Sequence, residues 1–404
     1  MTDSTYESIR TKSAGLIRNK LFHPHKENGE LVALSEEFAD LWPAWVKSGD
    51  LEREVNAWFR KLKLSHTGFW RGAGAGIPPY FAINAVLKRL DGRLVFWDVL
   101  PGGLAERASI RPGDVLLGIN GVEVGPDEPR FRLGGEYGLT ISHAGAEKTA
   151  KVALPGVGPK DRPPMTHLNP LTVSTKGRIA VLKITSFPGA VGFDLLRGLK
   201  SALAHFAEKK CDGLIVDLRS NCGGGLSSVR LISLLVPDRR LIGYSLTRVG
   251  RDRKKTPEQL PAIRRLPETK LTLLPLAIRF KFVNRDRSFR LFTEGLGPMP
   301  FHSRVAILVN EYTKSAAEMI AAFAHNERAA HVIGTRTPGE VLGAANFHVG
   351  GDYRLRMPIT AWYTATNELI EGSGVPVQRE QSNTVESLRE GRDLAMEKGV
   401  EALM

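Results

Sequence analysis

Short, mostly apolar strand segments that alternate with helices are the strongest constraint on how this chain can fold. Gly213–Leu218 and Val305–Val309 are two such segments, and the amphipathic interval Gly192–Lys210 precedes the first. Runs of this kind are typical of strands buried on both faces of a sheet. Further strands are predicted at Ile179–Ile184, His331–Ile333 and Arg354–Ile359, and helices at Ser315–His325 and Glu386–Met404. The pattern predicts an α/β fold with a mixed, largely buried sheet and flanking helices.

Three Gly/Pro-rich seams divide the 404 residues, at Arg71–Pro79, Leu154–Pro164 and Glu294–Pro300. A chain of this length exceeds one ordinary core, so we expect several domains. The first two seams predict three: an N-terminal helical domain over 1–76, a small β-rich domain over 77–156 and an α/β core over 165–404. The helical prediction rests on Phe38–Leu62, where apolar residues recur at helical intervals.

The second domain is predicted to consist of short strands and tight turns. Val115–Ile119 and Val122–Val124 flank Asn120-Gly121, which is a strong signal for a two-residue hairpin. Arg111–Asp114, with its Pro-Gly pair, predicts another turn.

Charge and cysteine content exclude several classes of protein. The net charge is +13, and residues 239–290 carry 15 Lys/Arg against 4 Asp/Glu. We interpret this basic insertion as a solvated face or a lid over a cleft; nucleic-acid binding is disfavoured because no helix-turn-helix, zinc-finger or RNA-binding signature accompanies it. Two cysteines are too few for a disulfide framework. No signal-peptide core and no apolar run long enough for a membrane span is found, so a cytoplasmic location is expected.

Ser315 is the first candidate for chemistry. A strand is predicted to end near Asn310 and a helix to begin at the serine, which places the hydroxyl at a helix N-terminus that favours developing negative charge. The same residues also form a capping-box pattern, Ser315-x-x-Glu318, in which both side chains would simply satisfy backbone donors. The local pattern leaves both interpretations open.

The glycine loop Asp217–Leu226 is the second candidate. Successive glycines after a buried strand allow backbone N–H groups to turn inward, where they could hold a phosphate or an oxyanion. No Walker lysine and no dinucleotide-binding fingerprint is present, so phosphate binding is the weaker use.

Taken together, these motifs resemble the C-terminal processing (tail-specific) serine proteases and the related tricorn core protease. The resemblance rests on their order along the chain: Val99–Val124, Asp217–Leu226, Lys314–Phe323, Val332–Gly339, Ile370–Pro376 and the closing Gly391–Leu403. It implies a crotonase-like protease core and a PDZ domain at 77–156 that would bind a free peptide C-terminus or gate the cleft. It assigns the nucleophile to Ser315, implies protein or peptide substrates, and implies no metal or organic cofactor.

The resemblance also identifies a departure. Relatives with a Ser-Lys dyad carry a lysine where this chain has Glu340, within Thr337–Val341. The tricorn-like branch instead uses a histidine ahead of its PDZ domain, which assigns the base to His66, the adjacent role to Ser65 and the late glutamate to Glu371. An ordinary histidine would make the rate rise around pH 6–7.

The oxyanion hole implied by the resemblance consists of the Ala316 N–H and that of Gly223 or Gly224. Two alternatives to an active peptidase remain at this stage. One is a catalytically inactive relative that serves as a peptide-binding module. The other is a nucleic-acid or membrane-surface binder that uses the basic insertion.

Overall fold

A computed structural model describes residues 3–72, 76–156, 165, 168–189, 191–278, 286–302 and 304–404. The seam residues 73–75 and 157–164 lie outside the described residues. Within these ranges the chain forms three six-stranded sheets. None of the helices in the described ranges is long and apolar enough to cross a membrane.

The N-terminal segment is helical, as predicted, and shares its core with a sheet that follows much later in the chain. It comprises α1 (Asp3–Lys20), α2 (Asn28–Lys47) and α3 (Leu51–Lys61). The predicted helix is divided because Asp50 caps α3 by accepting a hydrogen bond from the Arg53 N–H at 3.2 Å. Phe38 and Trp58 from these helices pack in one apolar cluster with Leu355. The helices therefore cover one face of that sheet.

The next segment forms a compact antiparallel sheet. The elements are β1 (Gly68–Arg71), α4 (Pro79–Ala82), β2 (Ala85–Leu90), β3 (Arg93–Val99), α5 (Leu104–Arg107), β4 (Val115–Ile119), β5 (Val122–Glu123), β6 (Glu136–His143) and β7 (Ala146–Ala153). β2 to β7 make the sheet, in the order β2-β3-β4-β6-β7 with β5 paired to β4. The predicted hairpin is confirmed: Ile119 pairs with Val122, and Asn120 and Gly121 both have positive φ, at 51° and 79°.

The basic stretch 239–290 is not one exposed insertion, which corrects the expectation. The elements from 171 to 292 are β8 (Leu171–Lys176), β9 (Ile179–Ile184), α6 (Phe193–Glu208), β10 (Gly213–Asp217), α7 (Ser228–Ile232), β11 (Leu241–Thr247), α8 (Arg248–Asp252), β12 (Ala262–Ile263), α9 (Lys270–Ile278) and β13 (Phe289–Phe292). Five of the seven β11 residues are buried, and β11 pairs with β13 on one side and with a strand at 353–364 on the other. Its apolar residues therefore belong to a sheet, and the basic residues flank it.

The central sheet is mixed and buried, as predicted. The remaining elements are β14 (Val305–Val309), α10 (Ala316–Asn326), β15 (His331–Gly334), β16 (Gly343–Gly350), β17 (Tyr353–Thr364), β18 (Arg379–Glu380), α11 (Val385–Arg389) and α12 (Leu394–Glu401). Its order is β18-β15-β14-β10-β9-β8, parallel throughout except for β8 on β9. β10 and β14 are buried at every residue and neighbour each other, so the segments that follow them meet at the same edge of the sheet.

The closing helix predicted over Glu386–Met404 is wrong as a single element. α11 ends at Arg389 and α12 begins at Leu394. Gly391 lies between them with φ of 71°, and the Asp393 carboxylate caps α12 by accepting from the Met396 N–H at 3.1 Å. The positive φ interrupts the helix, and the cap starts a new one.

Candidate active site

Ser315 occupies a strained turn between β14 and α10. Its φ of 56° and ψ of −120° lie in a region that residues with a Cβ rarely adopt. Such a conformation costs on the order of 1–3 kcal/mol and persists only where the surroundings impose it. The preceding Lys314 N–H donates to the Asn221 carbonyl at 2.8 Å, which fixes this turn against the glycine loop. Ser315 thus sits in a sharp elbow between the end of a buried strand and the start of a helix.

Glu318 ties this elbow to the loop that carries Glu340. Its carboxylate is completely buried and accepts the Ser315 N–H at 3.0 Å, as the capping-box pattern predicts. It also accepts hydrogen bonds from the Thr337 hydroxyl (2.7 Å), the Gly339 N–H (2.6 Å) and the Glu340 N–H (2.7 Å). Sequence reasoning recognised Glu318 only as a helix cap. The structure shows that it also fixes residues 337–340 beside Ser315.

Glu371 makes a matching set of contacts on the other side of the same loop. Its Oε2 accepts from the Val341 N–H at 2.8 Å and the Leu342 N–H at 3.2 Å. Its two oxygens also accept from the Ser65 N–H at 2.8 Å and the Ser65 hydroxyl at 3.0 Å. Four consecutive amides, 339–342, thus bind two carboxylates, the buried Glu318 and the partly buried Glu371. The loop connects the Ser315 elbow to the segment that holds Ser65.

Ser65 lies between Glu371 and His66 in a hydrogen-bonded chain. The Ser65 hydroxyl is 2.9 Å from His66 Nδ1. Burial raises the pKa of Glu371, but the four donors around its carboxylate act in the opposite direction and favour the ionised, purely accepting form. The Ser65 O–H therefore donates to Glu371, and Ser65 Oγ accepts a hydrogen bond from the Nδ1–H of a neutral His66. In this tautomer Nε2 keeps a free lone pair, as the accepting atom of a general base must.

The surroundings of His66 make it a weaker base than an ordinary histidine. Burial is the main cause that lowers the pKa of His66 to about 4, and the charges of Arg356 and Lys314 act in the same direction, while Glu340 opposes them. The rate increase expected around pH 6–7 is therefore moved to lower pH. The pKa of an ordinary histidine is a poor guide here, because the sequence does not reveal that His66 is buried or that Arg356 of β17 approaches it.

Glu340, at the position of the lysine in dyad relatives, is paired with a cation. Its Oε1 lies 2.9 Å from Lys314 Nζ. Glu340 and Lys314 both act on the pKa of His66, which places the pair near the imidazole. Among the described residues, His66 and Ser315 share no hydrogen bond. Catalytic hydrogen bonds are often long or poorly aligned before substrate binds.

The glycine loop packs directly against Ser315. A Cβ on Gly223 would lie 2.5 Å from the Ser315 Cβ, and one on Gly224 would lie 2.1 Å from the Phe187 carbonyl oxygen. The Gly223 N–H is occupied, because it donates to Asn221 Oδ1 at 2.7 Å. Within the described ranges, the N–H groups of Gly224 and Ala316 have no acceptor. Gly224 is therefore the glycine whose donor remains available.

An apolar pocket of about 500 Å³ opens beside Ser315. Its lining is mainly aliphatic and aromatic: Val191, Leu226, Leu273, Phe289, Leu291, Ala316, Met319, Val341, Leu342, Ile359 and Trp362. Ser245, Thr247 and Arg287 add polar groups. Several of these residues come from the basic stretch, so the stretch contributes apolar side chains to the site.

A second cavity of about 900 Å³ lies on the other side of the glycine loop. It is lined by residues of β8, α6 and the segment Ser186–Gly189, and it shares Gly224 and Gly225 with the apolar pocket. The Phe187 N–H donates to the Gly223 carbonyl, and the Gly225 N–H donates to the Phe187 carbonyl, at 2.8 and 2.9 Å. Gly224 and Gly225 thus border both cavities.

Known proteins resemble this chain in sequence and in fold. The carboxy-terminal processing protease CtpA of Bacillus subtilis (strain 168) is 26% identical over 310 residues, which cover 73% of this chain and 55% of the relative. The carboxyl-terminal-processing protease of Picosynechococcus sp. (strain ATCC 27264 / PCC 7002 / PR-6) is 22% identical over 330 residues, covering 78% and 66%. The chain thus spans between half and two thirds of the length of these curated relatives.

Two solved structures share the fold over nearly the whole chain. The photosystem II D1 C-terminal processing protease matches with a TM-score of 0.55 at 14% identity, covering 96% of this chain and 97% of its own. Mature CPAF complexed with lactacystin matches with a TM-score of 0.59 at 15% identity, covering 99% and 98%. The sequence profile of Peptidase family S41 matches residues 178–379, which is half of the chain. The resemblance to the C-terminal processing proteases is thereby confirmed, and the chain belongs to Peptidase family S41.

Proposed function

We propose that this protein is a serine endopeptidase that cleaves protein or peptide substrates through an acyl-enzyme on Ser315. The observation that carries the proposal is the hydrogen-bonded chain Glu371–Ser65–His66, which leaves a basic nitrogen free near a serine held in a strained elbow. A serine that only capped a helix would not need that conformation. Family membership supports the same reaction class.

The mechanism assigns one role to each group. His66 Nε2 removes the proton of the Ser315 hydroxyl as Oγ attacks the peptide carbonyl, and it then returns that proton to the leaving amine. Glu371, acting through Ser65, orients the ring and stabilises its charged form. The N–H groups of Gly224 and Ala316 bind the developing oxyanion. Gly223 supports this arrangement through close packing and not through its N–H.

Covalent labelling tests the proposal directly. A fluorophosphonate probe should label the wild-type protein and fail to label Ser315→Ala, because the probe reacts only with an activated serine. A folded wild-type protein that remains unlabelled over a wide pH range would contradict the proposal. It would favour the second candidate, a peptide-binding module without activity. The absence of a His66–Ser315 hydrogen bond within the described ranges is the observation in favour of that candidate.

The apolar pocket predicts the residue preferred on the acyl side of the cleaved bond, position P1. Peptides with Leu or Phe at P1 should exceed matched Ala peptides by about tenfold or more in kcat/KM, because they fill apolar volume. Peptides with Lys or Asp at P1 should be poor, since a charge would be desolvated there.

Met319 offers a matched pair of variants for this prediction. It lies one turn into α10 and lines the pocket. Met319→Glu should raise cleavage after Lys relative to Leu, whereas Met319→Leu should keep the apolar preference. Unchanged Lys/Leu ratios in a folded Met319→Glu protein would remove the pocket from P1 recognition.

We also propose that residues 77–156 act as a PDZ domain that captures substrate or gates the cleft. Its sheet contacts the turn that precedes the nucleophile: Lys88 Nζ lies 2.5 Å from Glu311 Oε1, and Asp98 pairs with Lys183 of the core at 3.3 Å. Lys88→Met should therefore alter hydrolysis of a full-length protein such as casein more than that of a short chromogenic peptide. The exposed Lys151→Met is the control. Equal changes on both substrates would count against this division of roles.

A further inference from the structure

Arg356 is an unusual cation at the edge of the candidate site. It lies in β17, where its register partners are Gly68 of β1 and Asn346 of β16. Gly68 follows His66 by two residues, so the strand pairing places Arg356 beside the segment that holds the imidazole. A Cβ on Gly68 would lie 3.4 Å from the Trp70 ring, so Arg356 faces a glycine and an aromatic ring of β1 and no charged group of that strand.

The alternation of β17 directs Arg356 away from the helical core. Tyr353, Leu355 and Met357 are buried and pack with the N-terminal helices. Successive side chains of a strand point to opposite faces, so Arg356 belongs to the other face. Thr360 and Trp362, on the same strand, line the apolar pocket beside Ser315. Arg356 thus lies between His66 and a strand segment that lines the pocket.

The guanidinium of Arg356 is partly buried and unpaired. Across the residues that the structure describes, it has neither a hydrogen bond nor an ion pair, and burial alone lowers the pKa of Arg356. The other charged groups that act around His66 are satisfied: Lys314 pairs with Glu340, and the Glu371 carboxylate accepts four hydrogen bonds. A partly buried cation without a partner is costly, and it is normally compensated by an anion.

This unpaired charge also affects the proposed chemistry. Arg356 is the largest source of charge that lowers the pKa of His66, after the effect of burial. Proton transfer from Ser315 makes His66 positive, and the charge of Arg356 opposes that step. An anion bound to Arg356 would remove the opposition.

We propose that Arg356 is a specificity-determining residue that binds a carboxylate of the substrate, either an Asp/Glu side chain or a free C-terminus. The inference rests on the proposed peptidase function and names its substrate class: peptides that carry a carboxylate close to the cleaved bond. The planar guanidinium suits a bidentate contact with a carboxylate. Binding satisfies Arg356 and at the same time favours the charged form of His66, so the correct substrate strengthens the base that attacks it.

Matched peptides test the carboxylate. One series carries Asp or Asn at each position around a fixed Leu at P1, and a second carries a free or an amidated C-terminus near the cleaved bond. In one of the two series, the peptide with the carboxylate should exceed its neutral partner in kcat/KM by about 10- to 100-fold, the range of a charge-assisted hydrogen bond. That series shows whether Arg356 binds a side-chain carboxylate or a free C-terminus. Arg356→Gln should reduce this ratio to near one, and Arg356→Lys should retain part of it.

Arg354→Gln is the matched control. Arg354 is an exposed arginine two residues earlier on the same face of β17, and its replacement should leave the ratio unchanged. The pH profile gives a second readout. With an amidated neutral peptide, the acid limb of kcat/KM should lie at higher pH in Arg356→Gln than in wild type, because the variant lacks the charge that lowers the pKa of His66.

Binding separates failure of this inference from failure of the proposed function. In a Ser315→Ala protein, one of the two fluorescent pairs, Asp against Asn or free against amidated C-terminus, should show about tenfold or tighter binding of the carboxylate form, whether or not the wild type hydrolyses peptides. Equal carboxylate and amide binding in that protein, or a wild-type ratio that survives in Arg356→Gln, would overturn the role of Arg356. Loss of hydrolysis and of Ser315 labelling in the wild type would overturn the peptidase instead.

Discussion

Ser315→Ala is expected to lower kcat by about 10⁴- to 10⁶-fold, the range seen when the nucleophile of a serine peptidase is removed. The substitution keeps the Cβ, the backbone N–H bonded to Glu318 and the contact with Gly223, so the elbow should persist. Hydrolysis of a peptide with Leu at P1, measured beside the melting temperature, tests it. Undiminished turnover in a folded variant would remove Ser315 from the mechanism.

Ser315→Gly is the companion variant, because it distinguishes strain from chemistry. Both substitutions delete the hydroxyl, but only glycine adopts φ of 56° and ψ of −120° without steric cost. Relief of strain, on the order of 1–3 kcal/mol, should exceed the roughly 0.5–1 kcal/mol that glycine costs through the unfolded chain. Ser315→Gly should therefore be inactive and melt above Ser315→Ala. A lower melting temperature for the glycine variant would show that the elbow stores no strain.

The central sheet could be predicted because each of its buried strands appears in the sequence as a short run of neighbouring apolar residues. β10 and β14 are continuous apolar runs, and a strand buried on both faces leaves that pattern in any sequence. The closing helix was predicted as one element because the helical spacing of apolar residues continues across Gly391. The positive φ of Gly391 divides this segment into two helices. The stretch 239–290 was misjudged for a related reason. Its many Lys and Arg residues predicted an exposed insertion, although the stretch contains β11. The seven residues of β11 include no charge, and the strand lies between β13 and β17.

Part of the candidate site could be predicted, and this was possible only because family motifs identified several of its residues. Glu371 lies 306 residues after Ser65, which is adjacent to His66, and the structure joins the three by hydrogen bonds of 2.8–3.0 Å. No local pattern could choose between Gly223 and Gly224, because the choice depends on Asn221, whose side chain occupies the Gly223 N–H. Arg356 left no signal in the sequence. An arginine in a strand is unremarkable until its partners, or their absence, are known.

His66→Ala is expected to lower kcat about 100- to 10,000-fold, the usual contribution of a general base. His66 accepts the proton of Ser315 only when neutral, and activity falls as the pH drops through its pKa. Burial and Arg356 hold the pKa of His66 at about 4, so wild-type kcat/KM on a neutral peptide should be flat from pH 5 to 8 and decline near pH 4. A limb near pH 6.5 would show that the imidazole is more solvated than the structure indicates. Full activity in His66→Ala would remove it as the base.

Glu340→Gln is the control that separates this assignment from a base at the position of the family lysine. Glu340 opposes the other charges by raising the pKa of His66, and its loss also frees Lys314, which lowers that pKa. Both effects lower the pKa of His66. The acid limb of the pH profile should therefore move to lower pH than in the wild type, while the rate at pH 7 changes little. If Glu340 were the base, the variant would lose activity across the whole range. The double variant Glu340→Lys/His66→Ala should stay inactive, because Lys314 and Arg356 would be joined by a third cation, whose charged and solvated form is no base. Recovery of activity in that double variant would show that the cleft can neutralise a lysine and that the Ser-Lys dyad remains available to this chain.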